Sequence, residues 1–361
     1  MKMPNATLRN EILKNGAIPF ARFMELALYC PKTGYYETKK DTVGRQGDFI
    51  TSVSTGELFG QLLAFQFGEW LENLRQFKKG NEPLKIIEAG AHDGKLAADI
   101  LRWLRKFRPE IFSEIEYCLL EPSPRRQQWQ AETLKEFSNV RWLPAPRSAL
   151  NAQFTGIIFS NELLDAFPVH RLGWDAADKK WFEWGVALEG EQFIWTRQNF
   201  QLSTFNLQPS ELEAVLPDGY TIEICPAAEN WWRDTANSLA HGKLLTIDYG
   251  YTAAEQFSPA RTHGTLRAYH QHRVSDDLLA NAGEQDLTAH VNFSAIQNAG
   301  EAVGLTTDIF CSQPQFLTRV FSAALKKNNF ANLDAKQVRQ FQTLTHPEHL
   351  GRAFRVLVQS R

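Results

Sequence analysis

Hydrophobic residues between positions 84 and 121 follow a strand-like pattern, then a helix-like pattern, then a strand-like pattern again. A short apolar run begins at Leu84 and is followed by a turn that contains Gly90 and Gly94. Apolar residues then recur at spacings of three and four, which predicts a helix. A second apolar run follows, and Glu121 comes directly after it. The segment therefore reads as one βαβ unit of the nucleotide-binding kind.

Similar patterns along the rest of the chain predict an α/β fold. Residues 169–235 differ, because short strand-like runs rich in tryptophan are separated by turns there, and we expect a small antiparallel insertion over the active face. The chain then divides into an N-terminal helical segment, residues 1–80, and a larger domain, residues 81–361. Residues 5–30 are predicted to be helical, with Pro19 placed where a helix can start. The other predicted elements are helices at 57–77, 124–137 and 227–239, and strands at 140–144, 156–160, 241–251, 305–311 and 354–360.

The turn after the first strand is acidic. Glu88 and Asp93 place negative charge around it, while Gly90 and Gly94 let the backbone approach a ligand without a Cβ in the way. Glu121, at the carboxyl end of the second strand, can accept hydrogen bonds from both hydroxyls of a ribose. A pyrophosphate at this turn would be repelled, whereas a positively charged ligand without phosphate would not. The pattern favours S-adenosyl-L-methionine, which has an ammonium, a sulfonium and a ribose.

Two other interpretations of this turn stay open. An NAD site would have a G-x-G-x-x-G turn without acidic residues, followed by an acidic residue about 20 positions further on. In this sequence the turn is acidic, and the acidic residue, Glu121, comes later. The other interpretation is an ordinary α/β turn whose carboxylates are solvated. The acid that ends the second strand favours a cofactor site over an ordinary turn.

Composition narrows the classes of function. The formal net charge is −2, so no basic field would draw the chain onto nucleic acid, and Arg125 and Arg126 read as part of a solvated helix face. No apolar stretch approaches the length of about 18 residues that a membrane span needs. The N-terminus resembles neither a signal peptide nor a transit peptide, so we expect a cytoplasmic protein. The cysteines, which form no CxxC pair and indicate no metal site, are Cys30, Cys118, Cys225 and Cys311.

A second polar motif, at residues 161–168, follows the strand expected at 156–160. It contains Asn161, Glu162 and Asp165. Open α/β sheets bind ligands at the carboxyl ends of their strands, so these side chains are candidates for the methyl-acceptor side of the site. Two carboxylates can hold a protonated guanidinium and orient its attacking nitrogen. In the alternative interpretation, Asn161 caps a helix and Glu162 lies at its N-terminus.

Ten motifs occur in order between about residues 18 and 320. They are PFARFMELALYCPKTGYY, GDFITS, LFGQLLA, EAGAHDGKLAADIL, LEPSP, NELLDAFPV, EICPAA, IDYGY, GTLRAY and DLTAHVNF. This set resembles the MidA-type methyltransferases, whose mitochondrial members are protein-arginine methyltransferases needed for respiratory complex I assembly. The resemblance implies a Rossmann-like, seven-stranded class I methyltransferase sheet whose last strands are antiparallel. It also implies an N-terminal helical segment and an antiparallel β insertion between strands 4 and 5.

The resemblance implies roles for individual residues as well. The GDFITS segment would close over the cofactor, S-adenosyl-L-methionine, and no metal is expected. The residues that would bind this cofactor are Gly47, Asp48, Thr51, Glu88, Gly90, Asp93, Gly94, Glu121 and Pro122. The residues that would face the methyl acceptor are Asn161, Glu162 and Asp165.

Two histidines add to this picture. His92 stands where the family usually has the middle glycine of the turn, and histidine adopts a positive φ there only at some cost. His290, in DLTAHVNF, is a candidate proton acceptor or substrate contact, although a lone histidine is more often structural. Secondary candidates are His170, Asp248, Tyr249, Arg267, His270 and His272.

Three functions are compatible with these observations. The first is methyl transfer to nitrogen, with protein arginine as the acceptor. The second is methyl transfer to nitrogen or oxygen of a small molecule, with the tryptophan-rich insertion lining a flat aromatic pocket. The third is a non-catalytic assembly factor that keeps the fold, suggested by His92. We expect a protein substrate, no nucleic acid and no membrane span, and a homodimer is left open.

Overall fold

A mostly parallel β-sheet lies at the centre of the structure. The computed structural model describes residues 5–38, 51–78, 80–143, 153–199, 216–270, 273–330 and 333–361. Gly47 and Asp48, expected to contact the cofactor, lie outside the described residues, as does most of the GDFITS segment.

The described residues form sixteen strands and twelve α-helices. The strands are β1 (Ile18–Pro19), β2 (Leu84–Ala89), β3 (Ile115–Leu120), β4 (Val140–Leu143), β5 (Phe154–Asn161), β6 (His170–Asp175), β7 (Lys180–Glu189), β8 (Gln192–Asn199), β9 (Thr221–Ile224), β10 (Leu239–Tyr251), β11 (Arg267–His270), β12 (Arg273–Ser275), β13 (Asp286–Thr288), β14 (Val291–Asn292), β15 (Thr306–Ser312) and β16 (Phe354–Ser360). The helices are α1 (Ala6–Asn15), α2 (Phe20–Tyr29), α3 (Tyr35–Thr38), α4 (Leu58–Leu74), α5 (Lys95–Phe107), α6 (Pro109–Phe112), α7 (Pro124–Leu134), α8 (Pro226–Asn237), α9 (Ala253–Gln256), α10 (Phe293–Glu301), α11 (Gln313–Lys326) and α12 (Ala335–Thr345).

The central sheet has the strand order β15-β16-β10-β5-β2-β3-β4, with the short β14 beside β10. Neighbouring strands from β10 to β4 pair in parallel, whereas β16 is antiparallel to both β10 and β15. After β2 the chain builds outward to β3 and β4, and then returns to the other side of β2 as β5. The order therefore reverses between β2 and β5, and ligands of open α/β sheets bind at the carboxyl ends of strands at such a point.

Both faces of the sheet are covered, and β2 shows how the sequence achieves this. Its successive side chains point to opposite faces, as the period of two along a strand requires. Leu84 and Ile86 belong to the core formed with α4 and α5, whereas Ile87 and Ala89 belong to the core formed with α8 and α10. A strand buried on both faces reads as a nearly continuous apolar run, which is the pattern found in the sequence.

Two smaller antiparallel sheets accompany the central one. Strands β6 to β9, all between residues 169 and 235, pair with one another, and β1 joins them through Ile18 and Val186. Strands β11 to β13 form the other sheet. Residues of α1 and α2 share one hydrophobic core with Val186 and with Leu287 of β13. The first two helices therefore pack on the insertion, whereas α4 packs on the central sheet.

The expected α/β class with a large, mostly parallel sheet is confirmed. The last strands were expected to run antiparallel to the rest of the sheet, and this holds for β16. It is wrong for β15: because β15 is antiparallel to β16, it points in the same direction as the parallel strands. The helical region expected at 5–30 forms two helices: Gly16 ends α1 with φ 74°, and α2 begins after Pro19, where the sequence predicted a helix start. No helix in the described parts of the chain is long and apolar enough to cross a membrane.

Candidate functional site

Two adjoining cavities open at the carboxyl ends of β2, β3 and β5. Cavity A encloses about 1130 Å³ and cavity B about 2400 Å³, including space open to solvent. Tyr29, Gly90, Arg126 and Leu163 line both cavities. Cavity A is also lined by Thr51, Glu88, Asp93, Asn161 and Glu162, and cavity B by Glu121, Pro122, Phe167 and Trp231. The site therefore gathers most of the residues that the sequence predicted for the cofactor.

The turn between β2 and α5 has three residues in the left-handed region. They are Gly90 with φ 76°, His92 with φ 47° and Gly94 with φ 82°. A Cβ at Gly90 would lie 2.9 Å from the side chain of Leu163, so only glycine fits there without displacing it. His92 is held in its conformation from outside the turn, because its carbonyl accepts a hydrogen bond from Nε2 of Gln130 at 3.1 Å. His92, which replaces the middle glycine of the family's turn, therefore does adopt a positive φ.

Glu88 is the last residue but one of β2, and its carboxylate is buried, only 3% exposed. The hydroxyl of Tyr117 donates a hydrogen bond to Oε2 at 2.6 Å. Burial raises the pKa of Glu88 to about 8, and the nearby charges of Asp93 and Asp99 act in the same direction. A cation in cavity A would favour the ionised form, so Glu88 is suited to bind an ammonium or a sulfonium there.

Asp93 faces the same cavity and is ionised more readily. Burial acts to raise the pKa of Asp93, but hydrogen bonding with His92 and with the backbone N–H of Lys95 outweighs it and lowers the pKa. The distance from the Lys95 nitrogen to Oδ1 is 3.0 Å. The Asp93 side chain therefore satisfies a free N–H of the first turn of α5 and adds negative charge to cavity A.

Glu121 follows β3 and lines cavity B, where it is 3% exposed. Its Oε1 accepts a hydrogen bond from the backbone N–H of Ser123 at 2.9 Å, and its Oε2 accepts one from Nε2 of Gln130 at 3.0 Å. Burial raises its pKa, although the nearby Arg126 opposes this. The two donors fix the carboxylate, and each oxygen keeps a lone pair for a ribose hydroxyl. Pro122, the next residue, is exposed on the wall of cavity B.

Glu162 lies just beyond β5 and has an unusual backbone, with φ 52°. Its Oε1 accepts hydrogen bonds from the backbone N–H of Ser52 at 3.1 Å and from Nδ2 of Asn161 at 3.0 Å. Burial raises the pKa of Glu162 to about 8. Oδ1 of Asn161 is buried and has no hydrogen-bond partner among the described residues. The loop therefore presents one carboxylate and one free amide oxygen beside cavity A, at some cost in backbone strain.

Asp165 is buried behind this loop and lines neither cavity. It accepts a short hydrogen bond from the hydroxyl of Tyr249, and burial raises its pKa to about 6. Asp248 accepts hydrogen bonds from the backbone N–H groups of Leu163 and Leu164 at 3.2 and 2.9 Å, which fixes the loop after β5. Of the two carboxylates expected at the acceptor side, the structure therefore places only Glu162 at a cavity wall.

His290 stacks on the ring of Tyr251, with the ring centroids 4.7 Å apart. Its Nδ1 is buried and has no hydrogen-bond partner among the described residues. Burial lowers the pKa of His290 to about 4, and Arg261 acts in the same direction, so the imidazole is neutral at pH 7. It lines neither cavity A nor cavity B, and packs edge to face on Tyr249, whose hydroxyl donates to Asp165.

Thr51 lines cavity A, as expected, and is 6% exposed. Sequence reasoning missed four residues of the site: Ser52, Tyr29, Tyr36 and Arg126. Tyr36 follows the turn in CPKTGYY, and its hydroxyl donates to Oδ1 of Asp286 at 2.8 Å. These residues reach the site from distant parts of the chain, so no local spacing identifies them.

The donor set fits a phosphate-free nucleoside that carries positive charge. Glu121 offers acceptors for a ribose, and Glu88, Asp93 and Glu162 surround cavity A with carboxylates. A pyrophosphate would be repelled by the ionised Asp93 and would give no reason for Glu88 or Glu162 to ionise. No group of three or more histidine, cysteine or acidic residues among the described residues could hold a metal ion.

Comparisons with known proteins agree with this geometry. A family model described as an S-adenosyl-L-methionine-dependent methyltransferase matches residues 62–311. A crystal structure of a COG1565 superfamily protein from Burkholderia thailandensis, described as a methyl transferase and bound to S-adenosyl-homocysteine, superposes with a TM-score of 0.83. It is 31% identical, and the match covers 99% of this chain and 91% of that one.

The names of curated relatives state both a substrate, protein arginine, and a location, the mitochondrion. The Drosophila melanogaster protein "Protein arginine methyltransferase NDUFAF7 homolog, mitochondrial" is 28% identical, over 97% of this chain and 83% of its own length. The Homo sapiens protein of the corresponding name is 26% identical, over 96% of this chain and 81% of its own length. The expected cytoplasmic location is contradicted by these relatives, which are named mitochondrial.

Proposed function

The chain belongs to the Methyltransf_28 family of S-adenosyl-L-methionine-dependent methyltransferases, and we propose that its methyl acceptor is an arginine side chain of a protein partner. The resemblance to the MidA-type methyltransferases is confirmed by this match and by the COG1565 structure. The cofactor is S-adenosyl-L-methionine, which supplies an electrophilic methyl group on a sulfonium. One observation supports the acceptor: the carboxylate of Glu162 lies on the wall of cavity A, which also contains the glycine turn and Glu88.

We assign the cofactor to the glycine turn and the ends of β2 and β3. Glu121 would accept hydrogen bonds from the ribose, and Pro122 would contact the nucleoside in cavity B. Glu88 and Asp93 would face the cationic methionine portion in cavity A, and Gly90 and Gly94 would let it approach the backbone. Thr51 lines cavity A and would also contact the cofactor. Gly47 and Asp48 lie outside the described residues, and their contact with the cofactor rests on the sequence resemblance alone.

Glu162 is the group that we assign to the acceptor. A guanidinium arrives protonated, since the pKa of arginine exceeds about 12. The ionised carboxylate of Glu162 binds it and orients one nitrogen toward the methyl group, and Asn161 Oδ1 accepts a second hydrogen bond. In the transfer, the guanidinium nitrogen would take the methyl group from the sulfonium, the sulfur would keep the electron pair of the broken carbon–sulfur bond, and the Glu162 carboxylate would accept the displaced proton. Asp165 keeps the loop in place through Tyr249, and His290 packs on the ring of that tyrosine.

We propose that two segments recognise the partner: the N-terminal segment, which lines both cavities, and the insertion, which lines cavity B. Tyr29 of α2 and Tyr36 of α3 form one wall, and their ring centroids lie 5.5 Å apart. The N-terminal segment, residues 1–80, packs through α1 and α2 on the insertion, residues 169–235. The remainder of residues 81–361 provides the sheet and the cofactor site.

Labelled S-adenosylmethionine and arginine-containing protein acceptors test this proposal. We expect the wild-type protein to form methylarginine, and Glu162→Gln to lose at least about 100-fold in transfer rate while it still binds S-adenosylhomocysteine, because the charge that holds the acceptor is removed. Glu191→Gln, on the exposed tip of the insertion, is the matched control and should behave like wild type. Unchanged transfer by Glu162→Gln would remove this residue from the role.

A small-molecule acceptor is the second candidate. Phe167 and Trp231 line cavity B in an edge-to-face arrangement, with ring centroids 6.0 Å apart, and could hold a flat apolar molecule. Transfer to metabolites, but to no native or denatured protein, would favour this candidate over arginine.

A further inference from the structure

The guanidinium of Arg126 lies where cavities A and B meet. Its Nε and Nη2 both donate to the backbone carbonyl of Tyr36, at 3.2 and 3.1 Å. The guanidinium carbon lies 5.0 Å from the centroid of the Tyr36 ring. Arg126 is half-buried rather than part of a solvated helix face, which corrects the sequence interpretation of this residue.

Arg126 has no acidic partner within 4.0 Å in the described part of the chain. Lys95, another cation on the wall of cavity A, has its Nζ 2.8 Å from Oδ2 of Asp99. Glu121 is near enough for Arg126 to lower its pKa, but its oxygens are bound by Ser123 and Gln130. Arg126 therefore brings an unpaired positive charge to a cavity whose other charged groups are mainly carboxylates.

We propose that Arg126 binds the carboxylate of the methionine portion of S-adenosylmethionine. This inference rests on the proposed cofactor site. The cofactor has several groups that suit an acid-lined cavity, namely an ammonium, a sulfonium and a ribose. Its carboxylate is its one anionic group, and Glu88 and Asp93 would repel it. A cation at the junction of the two cavities offsets that repulsion.

The setting of Arg126 suits this role. The carbonyl of Tyr36 accepts hydrogen bonds from the Nε and Nη2 edge of the guanidinium, and Nη1 has no hydrogen-bond partner among the described residues. The ring of Tyr36 covers one face of the guanidinium, which excludes water and strengthens its interaction with an anion. The Tyr36 carbonyl and ring therefore fix the guanidinium before the ligand arrives, so little side-chain entropy is lost on binding.

A comparison of two ligands isolates the carboxylate. Binding of S-adenosylmethionine and of decarboxylated S-adenosylmethionine is measured by calorimetry for the wild-type protein, Arg126→Gln and Arg126→Lys. Arg125→Gln is the matched control, because Arg125 is adjacent and exposed, donates to the Glu37 carbonyl, and lines neither cavity.

We expect Arg126→Gln to weaken binding of S-adenosylmethionine by about 10- to 100-fold, the range for a charge-assisted hydrogen bond. Its affinity for the decarboxylated ligand should change less than about 2-fold, which also shows that the variant is folded. Arg126→Lys should keep part of the affinity, and Arg125→Gln all of it.

Equal losses for both ligands would overturn the proposal, because Arg126 would then act only by holding Tyr36. Unchanged binding of both ligands by Arg126→Gln would overturn it as well, and would assign the carboxylate to another cation. Failure of the wild-type protein to bind either ligand would reject the cofactor site itself, which is a different result.

Discussion

The backbone N–H of Ser52 donates a hydrogen bond to Oε1 of Glu162, with 3.1 Å between nitrogen and oxygen. The hydroxyl of Ser52 in turn donates to Oε1 of Gln313 at 3.1 Å, and Nε2 of Gln313 donates to the carbonyl of Leu344 at 3.0 Å. Ser52 and Gln313 are both fully buried. The carboxylate at the acceptor side is therefore positioned by the C-terminal helices α11 and α12 through a single serine.

Gln313→Leu tests this relay, by which we mean the hydrogen-bonded chain Glu162–Ser52–Gln313. It leaves the buried hydroxyl of Ser52 without an acceptor, so we expect the free energy of unfolding to fall by about 1–3 kcal/mol. Transfer should slow more than cofactor binding weakens, because Glu162 loses its support. The double variant Ser52→Ala/Gln313→Leu removes both polar partners and should be less destabilised than Gln313→Leu alone. Urea unfolding and single-turnover rates provide the comparison.

The exposed Gln315 on the same helix is the control for that experiment. Gln315→Leu should leave the transfer rate unchanged. Equal slowing by the two leucine variants would show that the effect comes from α11 in general and not from the contact with Ser52.

The pH dependence of transfer should report Glu162. Burial raises its pKa to about 8, so the carboxylate is largely protonated at pH 7 and ionised above pH 8. Only the ionised form can hold the guanidinium and accept its proton, so the single-turnover rate should rise with pH through about 8 and level off above about 9. Bound cofactor shifts the midpoint downward, because its sulfonium favours the anion. A flat profile between pH 6 and 9 would contradict the role.

Cofactor binding should release a proton from Glu88. Its pKa of about 8 means that the carboxyl is mainly protonated at pH 7 in the free protein. A cation in cavity A favours the ionised form and lowers this pKa, so a proton leaves on binding. Calorimetry in two buffers of different ionisation enthalpy measures the release. Glu88→Gln should lower the number of protons released, and an identical number in that variant would assign the release to Glu162 instead.

His92 should tolerate some replacements and not others. Its φ of 47° suits asparagine but not a β-branched residue. We expect His92→Val to lower the free energy of unfolding by about 1–2 kcal/mol, and His92→Asn to change it by less than about 0.5 kcal/mol. Denaturant titration of both variants distinguishes backbone conformation from loss of the imidazole. An equal fall in the free energy of unfolding for His92→Val and His92→Asn would show that contacts of the imidazole matter more than the backbone conformation.

The sequence was sufficient for the sheet and for the residues at strand ends. Apolar periodicity located β2, α5 and β3, and the acids that follow such strands must lie at the same edge of a parallel sheet. Glu88 and Glu121 could therefore be identified without coordinates. The direction of β15 could not, because an apolar run contains no information about the direction in which a strand joins the sheet.

The relay behind Glu162 was beyond sequence reasoning. Ser52 and Glu162 are 110 positions apart, and Ser52 and Gln313 are 261 apart, so no spacing rule connects them. Arg126 was misread for a related reason. It belongs to a basic stretch typical of an exposed helix face, and its burial comes from Tyr36, which a distant segment brings to α7.

The proposed function depends on a phosphate-free nucleoside that binds at the carboxyl ends of β2 and β3. The most direct test is to measure the affinity of the wild-type protein and of Glu121→Gln for S-adenosylhomocysteine. We predict that the wild-type protein binds this ligand and does not bind NAD, and that Glu121→Gln binds it at least about 10-fold more weakly because a charge-assisted contact to the ribose is lost. Binding of NAD at the same site, or equal affinity in Glu121→Gln and wild type, would contradict the account.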